Sequence, residues 1–214
     1  MTSRQVVGTE PAYREPSHWC LTPDRGQLFI CDASGNAIFI FDPITGAPLG
    51  RKRIADPYQL GYTPDNKYLM VNALRLDFVD VYDGATLRLV KRFKPGRWPS
   101  HLDFSPDSRW SFNSMQNSNT LVSFDLTSMT ERWAVTVGET PAGVLWHRGK
   151  VLCCIMGGRG FVEVDPVSGQ ITRRVVTGDG AHNIFLDTRK QILYVSNRGP
   201  GRTGPVSYTH LRAH

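Results

Sequence analysis

The chain has 214 residues, of which 40% are hydrophobic and 21% are charged, and it contains 20 glycines and 14 prolines. This turn-rich composition is typical of a folded protein and excludes a disordered chain. No stretch approaches the roughly 18 apolar residues of a membrane span, and Met1–Gly8 lacks the apolar core of a signal peptide. The formal net charge of +6 raises the question of a nucleic-acid partner.

The basic residues do not form a single stripe. Their densest groups lie at Arg51–Arg53, Arg88–Arg97 and Arg173–Arg174. All three groups fall in the last strand of the repeat described below, where exposed charges keep a sheet edge from pairing with other chains. We therefore expect a solvated outer edge and no nucleic-acid partner.

A proline-led segment recurs along the chain with steps of 41, 42, 42 and 40 residues. Its copies are Pro16–Asp24, Pro57–Asp65, Pro99–Asp107, Pro141–His147 and Ala181–Asp187. A second landmark with the same period is an aspartate, found as Asp42, Asp83, Asp125 and Asp165. Two landmarks that stay in phase over four periods indicate a structural repeat of about 40 residues.

Each repeat has the pattern of four strands. The first ends at Thr-Pro-Asp or Ser-Pro-Asp, a turn in which proline presets φ and aspartate bonds its own backbone. The second, such as Leu28–Cys31, is apolar on both faces and is predicted to lie between two neighbouring sheets. The third, such as Ile38–Phe41, ends at the recurring aspartate, whose carboxylate is expected to accept amides of the turn it opens. The fourth, Leu49–Ile54 in the first repeat, is short and basic.

A four-stranded unit repeated at this period predicts an all-β fold, a β-propeller of four-stranded antiparallel blades. We expect an N-terminal extension over residues 1–15 and propeller repeats over residues 16–204. The repeats are predicted at 16–56, 57–98, 99–140, 141–180 and, as an incomplete copy, 181–204.

The repeat resembles that of YVTN-type β-propeller proteins. The copy nearest to the family's Leu-Tyr-Val-Thr-Asn motif is Ile192–Gly199, and the resemblance covers residues 16–204. Repeat four departs from the pattern, with Trp146–Lys150 where Ser-Pro-Asp is expected, which leaves the geometry of its first hairpin open. Since family members are often exported, an extracytoplasmic location, periplasmic or secreted, is implied by the resemblance only.

Propellers close with four to eight blades, and members of the family that this repeat resembles commonly have seven. The chain holds about 4.7 repeats, so we expect an incomplete ring of five blades or fewer, in preference to a five-bladed ring that closes on itself. An incomplete ring leaves two apolar blade faces uncovered. The ending Pro205–His214 resembles a translated sequencing-adaptor tail, and we expect a non-native segment that packs against nothing.

The cysteines show neither metal-ligand spacing nor a haem-attachment motif. They are Cys20, Cys31, Cys153 and Cys154. Each lies within an apolar strand pattern, which favours buried thiols. A disulfide between Cys20 and Cys31 across a hairpin stays open as an alternative.

The sequence contains no local motif of catalysis, phosphate binding or calcium binding. Propellers, however, build their sites at the mouth of the central channel from single residues of several blades. The candidates at the repeat phase that faces this mouth are His18, His101, His182, Asn183, Asn197 and Arg198. For each histidine, a bond to a backbone carbonyl is favoured over a role as a ligand. Because alternate blades should lie too far apart for three histidines to share one ion, we expect no metal site, and we assign no cofactor.

The sequence therefore contains the residues that make the fold without a reaction motif. We expect a non-catalytic binding or scaffold module that recognises a protein or a small ligand at the channel mouth, with Arg198 favouring an anion. Resemblance leaves two alternatives open. The propeller portion of a redox enzyme, similar to amine-dehydrogenase heavy chains or haem d1 nitrite reductases, needs a further subunit or haem ligands. A lactonase-like hydrolase needs acidic and basic residues that converge at one mouth.

Overall fold

The computed structural model describes residues 14–199 and the backbone of residues 207–212. These residues form five antiparallel sheets and no helix, which confirms the all-β expectation. A membrane-spanning helix is accordingly not found among them.

The strands of the described residues are numbered β1 to β19 in chain order. Blade one consists of β1 (Pro16–Leu21), β2 (Leu28–Asp32), β3 (Ala37–Phe41) and β4 (Pro48–Arg53). Blade two consists of β5 (Pro57–Tyr62), β6 (Tyr68–Ala73), β7 (Phe78–Asp83) and β8 (Leu89–Phe93). Blade three consists of β9 (Pro99–Phe104), β10 (Trp110–Met115), β11 (Thr120–Asp125) and β12 (Thr130–Thr136). Blade four consists of β13 (Pro141–His147), β14 (Lys150–Ile155), β15 (Arg159–Val164) and β16 (Ile171–Asp179). Blade five has three described strands, β17 (Ala181–Asp187), β18 (Ile192–Asn197) and β19 (Ser207–Arg212).

Consecutive strands are neighbours within every blade, so each blade is an antiparallel meander. The first strands are innermost and pack in the order β1, β5, β9, β13 and β17 around a central channel. Among the described residues no comparable packing joins β17 back to β1, so the ring is incomplete, as expected. The outward faces of the two end blades carry uncovered aromatic side chains, since Trp19 is 65% exposed and Phe185 is 55% exposed.

The second strand of each inner blade is buried on both faces because each face packs against a different blade. In β6, Leu69 belongs to a core cluster with Phe29 of blade one. Its neighbour Met70 belongs to a second cluster with Leu102 of blade three. Full burial of one such side chain contributes about 1.5–3 kcal/mol, so these two clusters hold blade two in place on both sides. This packing explains the uninterrupted apolar runs of the sequence.

The recurring aspartates open the turn between the third and fourth strands, as the sequence indicates. Asp125 Oδ1 accepts the backbone N–H groups of Thr127 at 2.8 Å and Ser128 at 3.0 Å. These bonds favour the ionised carboxylate, and they hold the pKa of Asp125 below its ordinary value. Asp42 and Asp165 likewise accept two backbone amides each, and Asp83 accepts the backbone amide and the hydroxyl of Thr86. The structural interpretation of these aspartates is therefore confirmed.

The first hairpin of repeat four has a shorter turn than those of the other repeats. Arg148 and Gly149 alone connect β13 to β14, and His147 pairs with Lys150. The φ angles of the two turn residues are 47° and 73°. Positive φ at both positions defines a type I′ turn, which matches the twist of the flanking strands. The departure from Ser-Pro-Asp thus shortens the loop and leaves the blade intact.

The structure also places the basic groups and the cysteines. The basic groups lie on or next to the outermost strands β4, β8 and β16, as expected. The four cysteines are free thiols, so no bond joins Cys20 to Cys31. Burial raises the pKa of both Cys20 and Cys154 to about 12, which keeps these thiols protonated at neutral pH.

The end of the chain requires a correction. Ser207–Arg212 form β19, which pairs antiparallel with β18 from Asn197 opposite Ser207 to Ile192 opposite Arg212. The expectation that Pro205–His214 packs against nothing is therefore wrong, although the other residues of that segment lie outside the described part. The free edge of β18 offers unpaired N–H and C=O groups, and residues 207–212 contain no proline or glycine to prevent pairing.

Deleting residues 205–214 should consequently destabilise the protein, because the edge of β18 loses its six-residue partner strand. We expect the melting temperature to fall by at least about 2–4 °C, the shift that corresponds to 1 kcal/mol in a domain of this size. Calorimetry of the full chain and of a chain ending at residue 204 measures the difference. A chain that lacks only residues 213–214 is the control, and identical melting curves for all three would contradict the pairing.

The turn function of the aspartates predicts a difference between two substitutions of Asp125. Asp125→Ala removes the acceptor of two backbone amides, and we expect it to lower the free energy of unfolding by about 1 kcal/mol. Asp125→Asn keeps a side-chain oxygen in the same place and should retain most of that stability. Urea denaturation of the two variants compares them, and equal losses would mean that the carboxylate acts through its charge alone.

Candidate functional site

A β-bulge near the start of every innermost strand shapes the channel entrance, the end of the ring at which these strands begin. The pairing of the first strand with the second shifts register at this place in all five blades. A bulge changes the direction of the side chains beside it. The residue pairs at the bulges are Ser17-His18, Tyr58-Gln59, Ser100-His101, Ala142-Gly143 and His182-Asn183. Side chains from two adjacent repeat positions can therefore meet at the entrance.

Four aromatic side chains meet there, and we call them the inner cluster: His18, Tyr58, His101 and His182. The ring of His101 lies 5.0 Å from that of His18 and 5.2 Å from that of His182, both edge to face. The ring of Tyr58 lies 4.8 Å from that of His18. The expectation that alternate blades hold these histidines far apart is wrong, because the bulges direct them inward across a narrow channel. No group of three or more potential ligands in the described residues is arranged to hold a metal ion.

The hydrogen bonds of the histidines differ. His18 Nδ1 donates to the backbone carbonyl of Tyr58 at 3.0 Å, as the sequence interpretation predicted. His101 instead bonds the Ser100 hydroxyl through Nδ1 at 3.1 Å. Its Nε2 is buried, and the side chain of Asn183 interacts with this imidazole. The carbonyl interpretation is therefore confirmed for His18 and wrong for His101.

The inner cluster is uncharged at neutral pH. Burial lowers the pKa of His101 well below its ordinary value, and the neighbouring imidazoles of His18 and His182 lower it further. Burial, followed by the charge of Arg198, lowers the pKa of His182 to about 4. Burial also lowers the pKa of His18, although its bond to the Tyr58 carbonyl opposes the shift. The inner cluster thus presents neutral imidazoles beside the guanidinium of Arg198.

The remaining predicted residues divide between the entrance and the blade interior. The side chain of Asn183 interacts with His101, where it opposes the lowering of the histidine pKa. Arg198 Nη1 lies 3.7 Å from Met156 Sδ, and its charge acts on His182. Asn197 is 1% exposed and accepts a hydrogen bond from the Thr177 hydroxyl at 2.9 Å, so it ties β18 to β16.

A pocket of about 470 Å³ opens beside the inner cluster, between blades four and five. We call it the entrance pocket. Its walls are residues 139–140 and 179–180, which precede β13 and β17, and residues 156–159 and 198–199, which follow β14 and β18. Its charged residues are Glu139, Arg159, Asp179 and Arg198, and Arg159 pairs with Asp179 at 2.8 Å. The volume lies in the range of small-molecule sites.

Sequence reasoning missed Tyr58 and every wall residue of the pocket except Arg198. Tyr58 carried a signal, because it follows Pro57 as His182 follows Ala181 and therefore occupies the same repeat position. The wall residues are four glycines, four charged residues, Thr140 and Met156, and their convergence depends on how two blades pack.

The neutral histidines predict a loss of stability in acid. The pKa of His182 is about 4 in the folded chain and about 6.5 in an unfolded one. The stability that the neutral His182 contributes is therefore fully present above pH 6.5. It is lost as the pH falls towards 4, because in this range only the unfolded chain takes up the proton on His182. Urea denaturation of the wild type and of His182→Gln at pH 7.5 and pH 5 should show a loss that is smaller in the variant by about 1–2 kcal/mol.

Asp103 has the opposite pH dependence in the same window. Burial raises its pKa to about 6, so its contribution to stability falls as the pH rises from about 4 to 6. This effect is present in both proteins and cancels when their losses are compared. Equal losses in wild type and His182→Gln would contradict a histidine that the fold keeps neutral.

Comparisons with known proteins agree with the architecture. No curated protein sequence matches the chain. A solved chain of Kuenenia stuttgartiensis hydrazine synthase is similar, with a TM-score of 0.78 and 21% identity over 98% of this chain and 65% of that chain. The chain thus spans less than two thirds of that neighbour, and at this identity the likeness shows the fold alone. A family described as YNCE-like beta-propeller matches residues 3–210. The chain therefore belongs to the YNCE-like β-propeller family.

Proposed function

We propose that the chain is a non-catalytic binding module that holds a small ligand at the channel entrance. One observation carries this proposal: the entrance pocket, of about 470 Å³, is lined by Arg198, whose charge acts on His182 of the inner cluster. A concave site with a few convergent polar groups is the usual form of a small-molecule site.

Next to the pocket, His182 of the inner cluster supplies a polar group that would orient a ligand. The imidazole of His182 is neutral because burial holds its pKa at about 4. Neutral imidazoles both donate and accept hydrogen bonds. Such groups reject an analogue that lacks the matching hydroxyl or amide, because they would then stay unpaired.

A lactonase-like hydrolase is the second candidate. The entrance pocket brings the carboxylates of Glu139 and Asp179 to the same mouth as Arg198. This is the convergence of acidic and basic residues that such an enzyme requires. The redox alternative rests on the resemblance of the repeats alone.

Blocking the pocket tests the binding function. A Cβ added at Gly158 would meet only Ile155 Cγ2, at 3.2 Å, and φ there is not positive. Gly158→Trp should therefore fold and fill the pocket. Saturation-transfer NMR with a library of polar fragments, including carboxylates, amines, amides and sugars, should detect ligands of the wild type that the variant no longer binds.

Gly26→Trp is the matched control. An added Cβ at Gly26 also has its nearest neighbour at 3.2 Å, without positive φ, but this residue lies in a hairpin at the opposite end of blade one. It should retain the fragments that bind the wild type. Fragments that bind Gly158→Trp as strongly as the wild type would place binding elsewhere and refute the proposal.

The hydrolase candidate is tested separately with γ-butyrolactone and δ-valerolactone. In a pH-stat, a binding module should hydrolyse these lactones no faster than the same solution without protein. Turnover that disappears in both Glu139→Gln and Asp179→Asn would establish the second candidate instead.

A further inference from the structure

The repeat allows one groove to be compared with another. At the channel entrance, two adjacent blades leave a groove between the residues that precede their innermost strands and the residues that follow their second strands. The pairing of Pro16 with Asp32 in blade one corresponds to that of Pro141 with Ile155 in blade four. The same register relates blade two to blade five. The entrance pocket is thus the counterpart of the groove between blades one and two.

In the groove between blades one and two, four side chains form what we call the Arg75 network. Arg75 Nη1 lies 2.7 Å from Glu15 Oε2, and Arg75 Nη2 lies 3.0 Å from Asp56 Oδ1. Arg75 Nη2 also donates to the Ser34 hydroxyl at 3.2 Å. The open space that remains is about 280 Å³. An arginine of the protein itself therefore fills this groove.

Between blades four and five every member of that network is replaced by a smaller residue. The positions of Glu15, Ser34, Asp56 and Arg75 correspond to Thr140, Gly157, Gly180 and Gly199. No long side chain from these four positions enters the groove. The entrance pocket is the space that results, about 470 Å³.

The loops of this groove keep their positions without the network. In blade two, the Asp56 carboxylate accepts the amides of Arg75 at 2.5 Å and Leu76 at 3.1 Å. In blade five, backbone carbonyls do this instead: Gly180 accepts the Arg198 amide at 2.9 Å, and Asp179 accepts the Gly199 amide at 3.0 Å. The groove therefore loses the four side chains of the network while its walls stay hydrogen-bonded.

Two arginines have been added to this groove, Arg159 at the repeat position of Asn36 and Arg198 at that of Leu74. Arg198 occupies the repeat position of Leu74, so a guanidinium lies where blade two has an apolar side chain. The other arginine of the pocket, Arg159, forms an ion pair with Asp179 at 2.8 Å. Guanidinium groups bind carboxylates through two parallel hydrogen bonds. Arg198 therefore brings to this pocket a guanidinium that a carboxylate can bind.

We propose that the entrance pocket binds a small organic carboxylate, whose carboxylate group contacts Arg198 and whose body fills the space that the Arg75 network occupies between blades one and two. This inference rests on the proposed binding function and names the ligand class of the same site. Glu139 and Asp179 on the pocket walls accommodate a second group that donates hydrogen bonds.

Calorimetric titration with three probes tests the ligand class. Succinate and L-glutamate carry the carboxylate, and succinamide replaces both carboxylates of succinate with neutral amides. The two acids should bind the wild type at least tenfold more tightly than the amide, and their affinity should fall as salt is added. Arg198→Leu, which installs the residue that blade two has at this position, should weaken both acids at least tenfold and leave the amide unchanged.

Two further variants complete the design. Arg189→Leu makes the same change of charge on an exposed residue at the other end of blade five and should bind the acids as the wild type does. Arg198→Lys keeps the charge but loses the paired hydrogen bonds, so its affinity for the acids should lie between those of the wild type and Arg198→Leu. If Arg198→Leu is unfolded, the affinity of Arg198→Lys still tests the contribution of the guanidinium.

The possible failures are distinguishable. If acids and amide bind alike and Arg198→Leu changes neither, the ligand class is wrong while the binding function stands. If none of the probes or fragments binds the wild type, both proposals fail together.

Discussion

Each blade of this protein has two apolar faces, and only a neighbouring blade can cover either of them. The second strands show this requirement most clearly, because alternate side chains of β6 enter different core clusters, with Leu69 packed towards blade one and Met70 towards blade three. A blade is therefore positioned by its neighbours rather than by contacts of its own. The channel entrance and its grooves exist because this packing places five copies of the same loops in one arc.

Much of this fold could be predicted from the sequence because its signals are local and repeated. Asp125 and its counterparts accept turn amides within three residues, and the apolar runs of the second strands reflect burial on both faces. The position of the turn in repeat four could be predicted, but its conformation could not, since the type I′ geometry depends on the φ angles of Arg148 and Gly149. The pairing of β19 was missed because its residues depart from the repeat, whereas edge pairing needs only a backbone free to pair.

The candidate site was predicted only in part, and the reason is physical. The period places His18, His101 and His182 near the start of the innermost strands, but the bulges that direct them inward are properties of strand pairing, which no single repeat specifies. Their contact distances depend on the radius of the arc, to which every blade contributes. The loss of the Arg75 network between blades four and five, in contrast, was predictable from the sequence. Gly180 and Gly199 occupy the repeat positions of Asp56 and Arg75, and an alignment of the loops shows the replacement.

The backbone hydrogen bonds that hold the loop after β18 have an evolutionary consequence. The backbone carbonyls of Gly180 and Asp179 accept the amides of Arg198 and Gly199 and so hold this loop. Because the loop does not depend on its side chains for its position, those side chains can change during evolution. Blade two has no such freedom, since the Asp56 carboxylate secures its loop and Arg75 balances that charge. A duplicated blade can thus lose an entire side-chain network in one copy while sister copies keep the ring together. A ligand site in such a protein can therefore arise through the loss of side chains. It forms at the blade interface whose side-chain contacts are no longer needed for stability.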